Sequence, residues 1–374
     1  MKKNVLIIAG ETSGDIHAAN LVQSLRKLNS NFRFFGIGGK RMESQGVELI
    51  ERMEKLSVVG IFEVFFKFHN IFLAYRKIMQ SAAKMPPEIV ILVDYPGFNL
   101  RMAKIFKKRG ATVIYYITPQ VWAWGRSRVH LIKKYVDKAI VIFKFEEDFF
   151  KQYGINATFV GHPLLDLEKG KSTLDKKSLG LNEGDFTIAI LPGSRESEVK
   201  GMLPVMLKAA TLIAKKKEIS FVLLKSSGVD ENIYARILKN TGLRITPIKD
   251  DTHGGLSVSD FVLVSSGTAT LESALMERPM LITYKLSFFS ALIFKIFANT
   301  RFIGLVNIIA GREIAPEVLQ YDATPERLAE RILSIISSKE KMGEQVNGLR
   351  EVRRLLGQSG ASMRAAHIIN ELIG

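Results

Sequence analysis

The segment VDYPGFN, residues 93–99, ends an apolar run with a carboxylate, Asp94. At the carboxyl end of a buried parallel strand that group would stand where α/β sheets gather their ligands. A carboxylate partly desolvated there can take a proton from a hydroxyl nucleophile. The competing reading is a helix cap or turn residue. Two later segments suit phosphate. ILPGSRESEV (190–199) places Arg195 in a Gly-Ser turn after a strand, where a guanidinium can grip a phosphate with two parallel bonds. SSGTATLESA (265–274) opens a helix with Ser266, Gly267 and Thr268, which offer backbone N–H groups and hydroxyls to a diphosphate. Glu272, one helical turn on, is within reach of a ribose. Ser and Thr also cap helices with no ligand involved, so each turn has a structural alternative.

Other candidates are less specific. GETSGD (10–15) is a glycine-rich strand-to-helix turn whose Glu11, Ser13 and Asp15 are candidate substrate contacts. Equally, Ser13 or Asp15 could cap the helix. It is neither the dinucleotide fingerprint nor the phosphate loop with its Gly-Lys-Ser/Thr. FGIGGKRM (35–42) is a second such cluster. TPQVWAWGRSR (118–128) holds both tryptophans, Trp122 and Trp124, beside Arg126 and Arg128, suited to sugar stacking or to a packed corner. His162, in the tripeptide GHP, ends a strand, and a lone histidine is as readily structural as functional. The chain has no cysteine, no HExxH and no two aspartates spaced i, i+2. Thiolate, zinc-finger, iron–sulfur and Asp-x-Asp metal chemistry therefore have no signature, and neither a metal nor a cofactor is expected.

Positioning these residues requires strands alternating with helices. Strand-like runs are Val5–Ala9, Phe32–Ile37, Ile89–Val93, Val113–Ile117, Ala139–Ile142 and Thr158–Val160, with helical patterns such as Ile16–Leu28 and Leu100–Lys108 between them. The charged stretch 166–186 reads as a linker. A second series follows: Thr187–Leu191, Ser220–Leu224, Arg244–Pro247, Phe261–Val264 and Met280–Tyr284, with helical patterns at Leu203–Lys216 and Thr270–Met276. Two β-α-β arrays predict two doubly wound, Rossmann-like domains, 1–165 and 166–344, facing across a crevice that holds the active site. The tail from Pro325 is helical, and residues 345–374 are expected to pack back on the first domain.

With 374 residues, 47% of them apolar, the chain can bury two sizeable cores, which excludes disorder. A formal net charge of +16 asks for an anionic partner: nucleic acid, a lipid surface or a phosphorylated small molecule. Between Ile61 and Lys151, 16 basic residues face 7 acidic ones. The same region carries an aromatic stripe, residues 61–79, with Phe62, Phe65, Phe66 and Phe72 as candidate membrane-facing side chains. Residues 286–298 are similar. Such helices belong either to a core or to a head-group surface, with Lys and Arg reaching outward. The basic surroundings favour an anionic bilayer. No apolar stretch is long enough to span one, and Val5–Ala9 is too short for a signal-peptide core, so a cytoplasmic protein is expected. No nucleic-acid module is recognisable.

In order along the chain, GETSGD, GIGGKRM, VVGIFEV (58–64), DYPGFN, PQVWAW, GHPLLD, LPGSRESEV, SSGTATLE and NIIAGREIAPEVLQ (307–320) resemble the motifs of the lipid-A-disaccharide synthase family, from about residue 9 to 320. The resemblance implies a two-domain glycosyltransferase-B fold without a metal. It implies transfer of 2,3-diacylglucosamine from UDP-2,3-diacylglucosamine to 2,3-diacylglucosamine 1-phosphate, at the inner face of the inner membrane. By motif, Asp94 is then the general base on the acceptor 6-hydroxyl and Arg195 meets the UDP diphosphate. Ser266, Gly267, Thr268 and Glu272 hold UDP, while Asn307 and Arg312 belong to the donor side. Many members carry a second aspartate where this chain has Gly97, so a paired-carboxylate mechanism is not expected here. Val306 stands where a proline often precedes the asparagine. A homodimer is compatible with the sequence. Alternatives are another UDP-sugar enzyme of the same fold, an N-acetylglucosaminyltransferase or 2-epimerase, or, from another class, a basic nucleic-acid-binding protein.

Overall fold

The computed structural model describes residues 2–53, 63–123, 125–167, 174–239, 241–285 and 301–373. The chain divides into two compact units, residues 1–167 with 356–374, and residues 168–355.

Among the described residues, unit 1 is built on seven parallel strands: β1 (Lys3–Ala9), β2 (Phe32–Gly38), β3 (Glu48–Arg52), β4 (Ile89–Val93), β5 (Thr112–Tyr116), β6 (Lys138–Val141) and β7 (Ala157–Phe159). Their order across the sheet is β3-β2-β1-β4-β5-β6-β7. The direction of winding reverses between β1 and β4, and their register (Val5 beside Ile89, Ala9 beside Val93) brings both carboxyl ends level. That reversal opens the crevice in which doubly wound sheets bind ligands.

Alternate residues of each strand serve opposite faces, because successive side chains point to opposite sides. Leu6, Ile8, Val90, Leu92, Val113 and Tyr115 pack under Phe98, Met102, Phe106 and Ile132. Val5, Ile7, Ile89, Ile91 and Ile114 pack under Leu21, Val22 and Leu25 of the helix Thr12–Leu28. The end of the chain completes this second face. Ala361, Ala365, Ala366 and Ile369 of the helix Ala361–Ile373 lie in the same core. Burial on both faces explains why these strands read as unbroken apolar runs.

The returning segment begins at Leu356 rather than at 345. The helix Lys339–Leu355 keeps Gln345, Gly348, Leu349 and Val352 buried within unit 2. Asp166, read as linker, caps the returning helix: its carboxylate accepts the N–H groups of Gly360, Ala361 (3.3 Å) and Ser362 (3.3 Å).

Unit 2 has six described parallel strands: β8 (Thr187–Leu191), β9 (Ser220–Lys225), β10 (Ile245–Lys249), β11 (Phe261–Val264), β12 (Met280–Tyr284) and β13 (Glu317–Leu319), in the order β10-β9-β8-β11-β12-β13. Here the reversal falls between β8 and β11. Pro247 is tolerated because β10 is an edge strand, where one row of N–H groups needs no partner.

No helix among the described residues is long and apolar enough to cross a membrane. The helix Glu63–Lys84 buries Ala74, Ile78 and Ala82 at i, i+4, i+8, while Phe72 is 56% exposed. Phe62 and residues 286–298 lie outside the described residues, as do the side chains of Phe65 and Phe66.

Candidate active site

At the switch point of unit 1, β4 ends in two consecutive left-handed residues, Asp94 (φ 45°) and Tyr95 (φ 48°). Non-glycine residues adopt this conformation at a cost of about 1–3 kcal/mol each, so the surroundings must enforce it. They do so through the Asp94 carbonyl, which accepts the Tyr115 hydroxyl at 2.7 Å and the Asn99 side-chain amide at 2.7 Å. Asn99 also binds the Val93 carbonyl at 3.1 Å. Both anchoring side chains are fully buried. Gly10, at the end of β1, permits the arrangement, since a Cβ there would lie 2.5 Å from the Tyr95 ring.

The carboxyl of Asp94 is pushed up to about 6, first by burial and then by the charge of Glu11, against a stabilising bond from the Tyr95 N–H. It lines a cavity of about 280 Å³ with Pro96, Ile117, Thr118, Phe143 and Glu146. A partly buried, activated carboxylate in a small polar cavity is suited to removing a proton from a hydroxyl.

Other candidates in unit 1 divide. Glu11 acts on Asp94 electrostatically, and Ser13 is exposed at the same turn. Asp15 is diverted to structure. Its carboxylate is buried and accepts the N–H groups of Gly39 (2.7 Å), Arg41 (3.1 Å) and Met42 (3.1 Å). It therefore caps the helix Lys40–Ser44 and explains the second glycine cluster, rather than meeting a ligand. His162 is likewise a core histidine. It is 4% exposed, its Nδ1 accepts the Leu164 N–H at 3.2 Å, and its own N–H binds the Leu356 carbonyl at 2.9 Å. Burial, with His17 nearby, holds its ring neutral, down to about 3. Trp124 lies outside the described residues. Trp122 is buried, and its indole N–H donates to Glu146 at 2.9 Å.

The switch point of unit 2 forms a cavity of about 420 Å³. Gly193, Ser194 and Arg195 after β8, and Ser265 to Ala269 after β11, line it together with Lys225, Asp250 and Glu272. Glu198 shapes the first loop by accepting the Ser194 and Arg195 N–H groups at 3.0 and 3.3 Å. The Arg195 side chain stays 61% exposed, 3.6 Å from Glu198. Gly267 (φ 112°) begins the helix Thr268–Leu275 in a conformation that favours glycine, and its N-terminus faces the cavity. The buried Ser265 hydroxyl, also lining the cavity, has no partner within the protein. Burial raises Glu272 to about 7. N–H groups, hydroxyls and a guanidinium around one space suit a diphosphate ester.

Two expected donor residues fall elsewhere. Asn307 is fully buried. Its amide donates to the Ala315 carbonyl (2.7 Å) and Glu317 (2.8 Å), and its oxygen accepts the Ile314 (2.7 Å) and Ala315 (3.0 Å) N–H groups. It fastens the loop 311–316 to the helix Leu305–Ala310 and has no atom left for a ligand. Arg312 is ion-paired with Glu351 at 2.6 Å and lines a different cavity. Val306 occupies the second position of its helix, where the N–H has no partner within the helix, so valine and proline fit equally.

The residue that sequence reasoning passed over is Glu146. It lies five residues past β6, in the first turn of the helix Lys144–Gln152, with Lys144 between it and the apolar run, so the sequence carries only the weak signal of a carboxylate near a strand's carboxyl end. Among the described residues no three His, Asp or Glu side chains cluster as metal ligands.

The geometry accords with relatives. A family model described as lipid-A-disaccharide synthetase matches residues 5–370. The lipid-A-disaccharide synthase of Syntrophus aciditrophicus (strain SB) is 41% identical over 99% of this chain and 98% of that protein. That of Myxococcus xanthus (strain DK1622) is 39% identical over 99% and 97%. Among solved structures, a putative UDP-N-acetylglucosamine 2-epimerase from Listeria monocytogenes aligns with a TM-score of 0.70 at 16% identity, covering 100% of this chain and 97% of that one. The S. aureus MnaA–UDP co-structure aligns at 0.68 and 13%, covering 100% and 97%. CalG4, the calicheamicin glycosyltransferase, aligns at 0.62 and 13%, covering 100% and 98%. These distant structures speak for the fold, a glycosyltransferase-B type pair of Rossmann-like units. The family match and the full-length relatives speak for the chemistry: this chain belongs to the lipid-A-disaccharide synthetase family and is a glycosyltransferase.

Proposed function

We propose that the chain transfers 2,3-diacylglucosamine from UDP-2,3-diacylglucosamine to the 6-hydroxyl of 2,3-diacylglucosamine 1-phosphate, releasing UDP and inverting the anomeric centre. The observation that carries this reading is that one unit holds the strained, activated Asp94 at its switch point and the other holds, at its own, a cavity lined by groups suited to a diphosphate. Asp94 takes the proton as the hydroxyl oxygen attacks the anomeric carbon from the face opposite UDP. Negative charge growing on the departing diphosphate is met by Arg195 and by the N–H groups opening the helix at Thr268. Ser266 and the buried Ser265 hydroxyl complete that cradle, and Glu272, raised by burial to about 7, suits a ribose hydroxyl.

Both substrates are acylated, and the reading places the chain peripherally on the inner face of the inner membrane. Phe72, exposed on a helix in the most basic part of the chain, supports that placement. Binding to anionic vesicles that weakens with salt is expected, and equal partitioning to neutral vesicles would reject the electrostatic part.

Incubation with UDP-diacylglucosamine, with and without the 1-phosphate acceptor, tests the reaction. Release of UDP only when both lipids are present is the expected result. UDP release without acceptor, or epimerisation of UDP-N-acetylglucosamine, points to a different enzyme of the same fold.

A further inference from the structure

Gly97 stands where the family resemblance often puts a second carboxylate, and a Cβ built there meets only open space. Another carboxylate reaches the same cavity from a different element. Glu146, 1% exposed, belongs to the helix Lys144–Gln152 that follows β6, and lines the 280 Å³ cavity with Asp94. It is held firmly: one oxygen accepts the Trp122 indole N–H at 2.9 Å, and the other accepts the Phe143 N–H at 3.3 Å. Between β4 and β6 lies β5, so the ends of the strands that precede the two carboxylates are roughly 10 Å apart. Thr118, two residues past the end of β5, lines the cavity too. It is 4% exposed, and its hydroxyl has no partner within the protein. A hydroxyl that can both donate and accept thus lines the same cavity as the two carboxylates, with room for several waters at about 30 Å³ each.

Resting on the transferase reading, we propose that Glu146 is the proton outlet of the reaction, receiving through the Thr118 hydroxyl and cavity water the proton that Asp94 takes from the acceptor. The balance is closed. The O6–H bond breaks and the O6–C1 bond forms, while the C1–O bond to UDP breaks and its electron pair leaves on the diphosphate. The proton passes from the hydroxyl to Asp94, then to Glu146, then to solvent.

The electrostatics leave both carboxyls raised into the range where a proton can pass between them. Burial, with a smaller contribution from the charge of Asp94, raises Glu146 to about 7, against about 6 for Asp94. The other groups felt in this corner are few: Glu11 acts on Asp94, Arg128 acts on Tyr115, and the neutral His162 ring packs on Phe143 at 5.2 Å. Lys144 is paired with Glu147.

The test is the pH dependence of kcat from pH 5 to 9 for wild type, Glu146→Gln, Trp122→Phe and Thr118→Val. Glutamine keeps the indole bond but cannot take the proton. It is expected to lower the plateau at least tenfold and to move the acidic limb down, because one of the two coupled carboxyls no longer titrates. Phenylalanine at 122 removes the donor that favours ionised Glu146 and is expected to move the limb up. Valine at 118 lowers the plateau without moving the limb. A Gln variant with the wild-type plateau and limb overturns the proposal, as does a lowered plateau with an unmoved limb, which is what a merely structural role produces. Should the Gln variant fail to fold, an unmoved limb in Trp122→Phe overturns it. An active wild type with unmoved limbs defeats this proposal alone. A wild type that releases no UDP with both lipids defeats the transferase reading as well.

Discussion

Replacing Asp94 by asparagine should abolish turnover and at the same time stabilise unit 1. Asparagine adopts the left-handed conformation as readily as aspartate, and its carbonyl can still be held by Tyr115 and Asn99. What disappears is a carboxylate whose ionisation burial opposes. Its folded value of about 6 exceeds the ordinary 3.8, so the folded state binds more protons than the unfolded state between those values. Stability is then fully present below about 3.8 and is lost as pH rises toward 6, so wild type carries a penalty at neutral pH that the variant lacks. Two pH units at 1.36 kcal/mol each put the difference at about 3 kcal/mol at pH 8, shrinking to about 1 kcal/mol at pH 4.5. Urea unfolding of the full chain at both pH values, followed through the transition of unit 1, reads this out. Turnover should fall by a factor of at least about 100. A variant no more stable than wild type at pH 8, or equally stabilised at both pH values, refutes the burial argument. A stabilised variant that keeps substantial activity refutes the assignment of Asp94 as base.

Other expectations are simpler. Arg195→Ala should weaken UDP binding roughly 10- to 100-fold by calorimetry, the loss of a charge-assisted phosphate contact, and unchanged affinity would move Arg195 out of the site. Asn307→Ala should cost about 2–4 kcal/mol, because it leaves the Ala315 carbonyl and the Ile314 and Ala315 N–H groups unpaired in a buried loop. UDP affinity measured well below its melting temperature should stay within about twofold, since bonds within the protein occupy the whole Asn307 amide; a large loss would return Asn307 to the donor site. Asp166→Ala should destabilise the returning helix by about 1–2 kcal/mol. Faster amide exchange confined to residues 361–373 is the signature, and unchanged exchange would show that the cap contributes nothing.

Much of the fold was legible because burial on both sheet faces leaves uninterrupted apolar runs, and β1, β4, β8 and β11 all show them. The two strands that escaped notice, β3 and β13, are edge strands. ELIER has only two apolar residues among three charged ones, and EVL is three residues long, so neither carries the signal of a buried strand. Asp94, Arg195 and the Ser266–Thr268 turn were legible for a related reason: each follows such a run, where a parallel sheet exposes its ligand-binding ends.

Apolar runs and the turns that end them were enough to specify two parallel-sheet units and the strand ends that carry phosphate-suited turns and a carboxylate. Which polar residues face a cavity and which are engaged by the backbone depends on packing between distant segments. Asp15, His162 and Asn307 each lie at or beside a glycine-bearing turn, as Asp94 does, yet their polar atoms are engaged by N–H and carbonyl groups of the protein, brought near by segments remote in sequence or by the turn itself. Asp94 escapes because Tyr115 and Asn99 bind its carbonyl rather than its carboxylate, leaving the acid facing a cavity. Glu146 and Thr118 join it only because β5 and β6 lie beside β4, a neighbourhood that spacing along the chain does not display. The charge of +16 invited an anion from the outset. Folding chose where one can be met, by bringing the β8 and β11 turns together around a single cavity.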